Sequence, residues 1–175
     1  VQPARLDVAE VDEPAPADGQ VVVEVSECGV CGSDLSSYQG GLGTRPGQVL
    51  GHEFSGRVVA APGVDGLSDG DRVTVRPLTP CGRCDRCLAG EVHLCENGRG
   101  LDIGYGVPGA FAERVLVPRA LLGQTIFKLP DAVSDRAGAL VEPLSVALRA
   151  ARLAAPAAGD VAVVFGLGII GLGAV

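Results

Sequence analysis

Four of the six cysteines in this chain form the run Cys81-x-x-Cys84-x-x-Cys87-x7-Cys95. C-x-x-C spacing lets a tight turn present two sulfurs to one ion, so the run predicts a tetrahedral four-thiolate zinc site. An iron–sulfur cluster fits less well, because ferredoxin-type runs place the fourth cysteine after three residues or on a distant segment. Two disulfides would call for an oxidising compartment. A closed four-thiolate site has no open coordination position, which predicts a structural ion that holds a loop. The remaining two cysteines stand in Cys28-Gly29-Val30-Cys31. They read either as a thioredoxin-like redox pair, which calls for a βαβ neighbourhood that is missing here, or as the source of a thiolate for a second, catalytic metal. Gly51-His52-Glu53 supplies an imidazole and a carboxylate on adjacent residues. Alone, His52 reads as an ordinary polar residue; beside Cys31 it becomes a candidate ligand.

A second feature lies near the other end. Gly166-Leu167-Gly168-Ile169-Ile170-Gly171 follows the apolar run Val161-Ala162-Val163-Val164-Phe165 at once. A G-x-G-x-x-G directly behind a buried strand is the context of a dinucleotide-binding turn, whose glycines allow a tight bend and close approach of a pyrophosphate. Without a ligand it is a plain strand-to-turn connection. The acidic residue that would bind the ribose is expected about 20 residues farther on, past Val175.

The elements that must position these groups are short. Val21-Val22-Val23-Glu24-Val25 reads as a strand, followed by runs at 56–60, 71–75 and 111–117, each bounded by Gly, Pro or Asp. This pattern predicts an antiparallel barrel or sandwich. After Pro130 the period changes: Ser134 offers an N-cap, Pro143 interrupts a helical pattern and places Glu142 at a helix break, and a second helix is expected from Leu144 to Ala154. The 175 residues, 47% hydrophobic with only four Phe and two Tyr, imply a core of Val, Leu and Ala and one domain plus a fraction. A net charge of -7 without a basic run excludes nucleic acid and anionic membrane as partners. The apolar stretch 161–175 is shorter than the roughly 20 residues of a membrane span. The polar start, broken by Pro3, Pro14 and Pro16, lacks the order of a secretory signal, so a cytoplasmic location is expected.

Taken together, Cys28-Gly-Val-Cys31-Gly-Ser33-Asp34, Gly51-His52-Glu53-Phe-Ser-Gly56, the loop from 81 to 95, Val141-Glu142-Pro143-Leu144 and the glycines at 166–171 resemble the zinc-dependent medium-chain alcohol and polyol dehydrogenases. Glu142-Pro143-Leu144-Ser145 is similar to the sorbitol, butanediol and threonine dehydrogenase branch. The resemblance implies a mainly β GroES-like catalytic domain over 1–155, then the first strand and Gly-rich turn of a Rossmann domain over 156–175. It implies two zincs per subunit and NAD or NADP bound by Gly166, Gly168 and Gly171. Cys31 and His52 would be ligands of the catalytic zinc, with Glu53 bound to the ion or stepping on and off it and Glu142 a ligand or the partner of one. Cys81, Cys84, Cys87 and Cys95 would hold the structural zinc.

Asp34 would accept the second imidazole N–H, and Ser33 would hydrogen-bond the substrate oxygen. Many relatives carry a histidine three residues after this Ser, as the outer end of a proton relay; this chain has Ser36, so the proton would leave through water or Glu53 instead. The implied reaction moves a hydride between a secondary alcohol or polyol and the nicotinamide, in a homodimer or homotetramer. Residues 1–175 alone are expected to be inactive. The contrasting reading is a zinc-binding structural or interaction module without catalysis.

Overall fold

A computed structural model of the chain describes residues 5–40, 45–98 and 100–175. Five strands, β1 (Val21–Gly29), β2 (Glu53–Ala60), β3 (Arg72–Val75), β4 (Arg114–Val117) and β5 (Ile126–Lys128), form one sheet in the order β4-β1-β2-β3-β5, with every pairing antiparallel. This is the predicted mainly β architecture. Val21, Val23, Phe54, Val58, Val73, Val115, Val117 and Ile126 fill the core. They are mostly β-branched residues, which suit a pleated surface. In β4 the alternation is plain, since Val115 and Val117 are buried and Arg114 is exposed.

The register of β1 against β2 decides where chemistry can occur. Cys28 pairs with Phe54 and Gly29 with Glu53. The chain therefore leaves β1 and enters β2 at the same end of the sheet, which brings the segment after Gly29 next to the segment before Glu53. The first segment turns into α1 (Gly32–Tyr38). The cysteine loop carries the short helix α2 (Asp85–Leu88) and a 3-10 turn at Val92–Leu94.

Two helices cross the sheet's other flank, α3 (Asp135–Ala139) and α4 (Val141–Ala154). The Ser134 hydroxyl caps α3 by accepting the Ala137 N–H at 3.2 Å. Arg72 on β3 holds α3 in place through an ion pair with Asp135 at 2.7 Å. Arg149 of α4 reaches His93 of the cysteine loop at 3.1 Å. Residues beyond α4 add α5 (Ile169–Gly173).

Three expectations change. α4 begins at Val141 and not at Leu144, with the junction at Leu140, so Glu142 sits inside the first helical turn. Proline is tolerated there because a first-turn N–H has no intrahelical partner to lose. The 111–117 run is a strand only from Arg114, because the Ala110 and Phe111 N–H groups bond to Gly51 and Leu50 carbonyls instead of the sheet. Residues 161–165 form no strand: Val161 is 91% and Phe165 94% exposed. A strand exists through hydrogen bonds to a neighbour, and among the described residues none runs beside this segment. No helix among the described residues is long and apolar enough to cross a membrane.

Gly56 lies at the centre of β2, paired with both Val25 and Val73. A Cβ there would stand 2.1 Å from the Glu24 carbonyl oxygen and 2.7 Å from Val23 Cγ1. Gly56→Ala is expected to cost about 3 kcal/mol by overpacking, read as a lower urea midpoint at unchanged slope. A loss below about 1 kcal/mol would show that the strand spacing relaxes freely.

Candidate metal centres

The ligand atoms of Cys31, His52 and Glu53 all lie within 4.8 Å of one another. Asp34 explains how two loops are held at this spacing. Its buried carboxylate accepts the Cys31 N–H at 2.9 Å through Oδ2 and the Gly51 N–H at 3.3 Å through Oδ1. One side chain thus ties the turn before α1 to the turn before β2. Asp34 Oδ1 also faces His52 Nδ1 at 3.7 Å, longer than a hydrogen bond, and Nδ1 has no hydrogen-bond partner among the described residues. The expected hydrogen bond from the imidazole N–H to Asp34 is therefore not formed here, and the other ring nitrogen, Nε2, lies 3.4 Å from the Tyr105 hydroxyl.

Small residues make the room. Gly51 has φ +91°, a conformation costly for other residues, and a Cβ on it would collide with Phe111. A Cβ on Gly29 would stand 2.6 Å from Glu53 Oε2, so the carboxylate lies across the Gly29 backbone. Burial pushes the Glu142 carboxyl up from 4.5 to about 7, with repulsion from Glu53 adding to it. The thiol, imidazole and carboxylate of Cys31, His52 and Glu53 form a donor set that fits a divalent cation, and the Glu142 carboxylate lies outside that close group, near enough to feel the Glu53 charge. Glu142 faces a cleft of about 680 Å³ that is also bounded by Arg76, His93 and Arg149.

Ser33 and Tyr105 complete this region. The Ser33 hydroxyl and the Tyr105 phenol share a hydrogen bond of 2.6 Å, the phenol oxygen is 3.4 Å from His52 Nε2, and the two rings are 5.1 Å apart. Burial raises the phenol's pKa, so it stays protonated at neutral pH. Tyr105 was not legible in the sequence. It lies in no motif, and only the folded loop brings it across 72 residues to Ser33.

The four sulfurs of Cys81, Cys84, Cys87 and Cys95 also come together within 4.8 Å. Cys81 and Cys87 are 4.0 Å apart and Cys84 and Cys95 3.9 Å. These separations are far beyond a disulfide bond of about 2.05 Å. They match the edge, about 3.8 Å, of a tetrahedron with 2.3 Å metal–sulfur bonds. Backbone N–H donation from Arg83 leads the interactions that lower the Cys81 thiol to about 6, which favours the thiolate a metal needs. Cys28 behaves in the opposite way. It packs against the core, burial pushes its thiol up to about 12, which disfavours the nucleophilic thiolate, and it belongs to neither ligand group among the described residues.

At the glycine-rich turn, Gly166 has φ +90° and Gly168 caps α5. A Cβ on Gly171 would lie 1.9 Å from the Gly166 carbonyl oxygen. The turn is therefore closed by glycine at its first and third positions.

The alcohol dehydrogenase GroES-like domain model matches residues 17–131. The chain belongs to that family. Among its relatives, 2-dehydro-3-deoxy-L-galactonate 5-dehydrogenase of Pseudoalteromonas atlantica is 42% identical over 160 residues, covering 90% of this chain and 45% of the relative. Sorbitol dehydrogenase of Halalkalibacterium halodurans is 39% identical over 167 residues, covering 94% and 47%. The crystal structure of galactitol-1-phosphate dehydrogenase from Escherichia coli superposes with a TM-score of 0.87 at 36% identity, covering 99% of this chain and 49% of that one. The chain thus spans about half the length of the curated relatives it matches. L-threonine 3-dehydrogenase of Pyrococcus furiosus is a further relative, 36% identical over 171 residues, covering 95% of this chain and 47% of the relative.

The raised Glu142 carboxyl has a consequence for stability. Its folded-state value, about 7, exceeds the ordinary 4.5, so in metal-free protein its contribution is intact below pH 4.5 and is lost as pH rises to about 7. Chelator-treated Glu142→Gln is expected to match the wild type at pH 4.5 and below, then to become the more stable of the two by pH 7. Denaturant titration across that range checks this, and a difference independent of pH would contradict it.

Proposed function

We propose that the protein is a zinc-dependent, nicotinamide-linked oxidoreductase acting on secondary alcohols or polyols. The observation that carries the reading is the convergence of Cys31, His52 and Glu53 within 4.8 Å. This donor set has the composition of a catalytic ion's site, mixed and incomplete, whereas the Cys81, Cys84, Cys87 and Cys95 set is closed. Cys31 and His52 would hold the catalytic ion together with Glu53 or Glu142, and the four loop cysteines a structural one. Residues 1–155 form the zinc-bearing domain in this reading, and 156–175 open a nucleotide-binding domain. The cofactor is NAD or NADP, and the glycine-closed turn at Gly166, Gly168 and Gly171 supports that assignment. Six free thiols, five of them grouped with other candidate ligands, suit a reducing compartment, the cytoplasm.

Zinc bound among these residues supplies a Lewis acid that lowers an alcohol's pKa, and the nicotinamide accepts the hydride. The protein's own residues do the rest. Asp34 ties the two loops together and faces the His52 ring. Ser33 is placed to accept a proton from the substrate hydroxyl. The charges of Glu53 and Glu142 would offset that of the ion, leaving it less electrophilic than in a site with fewer anionic neighbours and favouring a substrate that binds through two hydroxyls.

The whole protein is expected to contain two zincs per chain and to lose turnover when chelated. Glu142→Ala is expected to lower turnover about ten- to a hundredfold and to weaken retention of one zinc only. Metal analysis with a steady-state assay decides this. Unchanged zinc content and turnover would remove Glu142 from the site, and one zinc with no turnover in the wild type would favour a structural module.

A further inference from the structure

The family resemblance leaves a gap at Ser36, where many relatives carry a histidine. The structure offers another side chain for that place. Tyr105 sits in a tight loop in which Gly104 N–H bonds to the Val107 carbonyl at 3.1 Å and Tyr105 N–H to the Asp102 carbonyl at 3.1 Å. Neighbouring residues of that loop are docked on the His52 turn, with Gly109 N–H on the Val49 carbonyl at 2.9 Å and Ala110 N–H on the Gly51 carbonyl at 2.8 Å. The phenol is thereby fixed to the same backbone that carries His52. Its oxygen meets Ser33 Oγ at 2.6 Å, its ring lies against the imidazole, and the residue remains 40% exposed. It therefore links the partly buried Ser33 to solvent, which no other hydrogen bond of Ser33 does among the described residues.

We propose that Tyr105 is the outer member of the hydrogen-bond path that carries the substrate hydroxyl's proton from Ser33 to water. The inference rests on the dehydrogenase reading above. In the oxidation direction the substrate O–H proton passes to Ser33 Oγ, the Ser33 proton to the Tyr105 oxygen, and the Tyr105 proton to water. The electron pair of the substrate C–H bond leaves with its hydrogen as hydride to the nicotinamide. Both hydroxyls end neutral, as they began, so neither has to ionise. Tyr105 acts through Ser33 and is a positioning residue. Cys31, Asp34, His52 and Glu142 are the titratable groups that surround it.

The test is Tyr105→Phe in the whole enzyme, which removes the oxygen and keeps the ring against His52. The expected result is a kcat for alcohol oxidation about ten- to a hundredfold lower at pH 7, with KM little changed and the deficit shrinking at alkaline pH as hydroxide takes the proton directly. Tyr105→His, which can again donate and accept, is expected to recover part of the loss. Two zincs per chain and an unchanged visible spectrum after cobalt substitution would show that the metal site is intact. Wild-type kcat for Tyr105→Phe at every pH would overturn the proposal, as would a loss that tracks loss of metal. A wild-type enzyme without zinc-dependent turnover would overturn the dehydrogenase reading itself, and Tyr105's role with it.

Discussion

The buried carboxylate of Asp34 is the constraint on which the mixed site depends. A buried charge is costly unless it is well paired. Asp34 meets that demand with two backbone N–H groups drawn from different loops, those of Cys31 and Gly51, and with the His52 ring facing the same oxygen. Each of these partners belongs to, or adjoins, a candidate ligand. The interaction that satisfies the carboxylate also sets the distance between the thiolate and the imidazole. Because Asp34 is the third residue of α1 and its carboxylate accepts the N–H of the N-cap residue Cys31, its own position is fixed by that helix.

The sheet supplies the other half of this geometry. Antiparallel pairing of Gly29 with Glu53 puts the exit of one strand beside the entry of the next, and bulges in β1 adjust its path on the way there. Glycine appears where the backbone or a carboxylate needs the volume of a Cβ: at 29 under Glu53, at 51 against Phe111, at 56 between strands. The chain's glycine content is therefore bound up with the site. The cysteine loop is a separate unit, organised by its own N–H to sulfur bonds and joined to α4 through the Arg149 and His93 contact.

Much of this was legible in the sequence because ligand chemistry and spacing are local. The run from Cys81 to Cys95 specifies a turn that can surround one ion, and the folded loop brings its sulfurs together. Cys31, His52 and Asp34 could be singled out from types and resemblance, since each lies within a recognisable motif, and the fold brings them near one another. Three things escaped a reading of the sequence. Tyr105 has no motif and enters only through a loop that folds across a large sequence separation. Pro143 suggested a helix break, although a first-turn position tolerates proline without one. The apolar run 161–165 has the composition of a central strand, but pairing is a property of two segments, and composition describes one.

The central claim is that Asp34 assembles the mixed site and leaves the four-thiolate site independent. Zinc K-edge X-ray absorption and metal analysis on the whole protein carrying Asp34→Ala test it most directly. The account predicts retention of one zinc per chain with four sulfur neighbours and loss of the mixed sulfur, nitrogen and oxygen environment present in the wild type. Two zincs per chain with the mixed environment unchanged would contradict it.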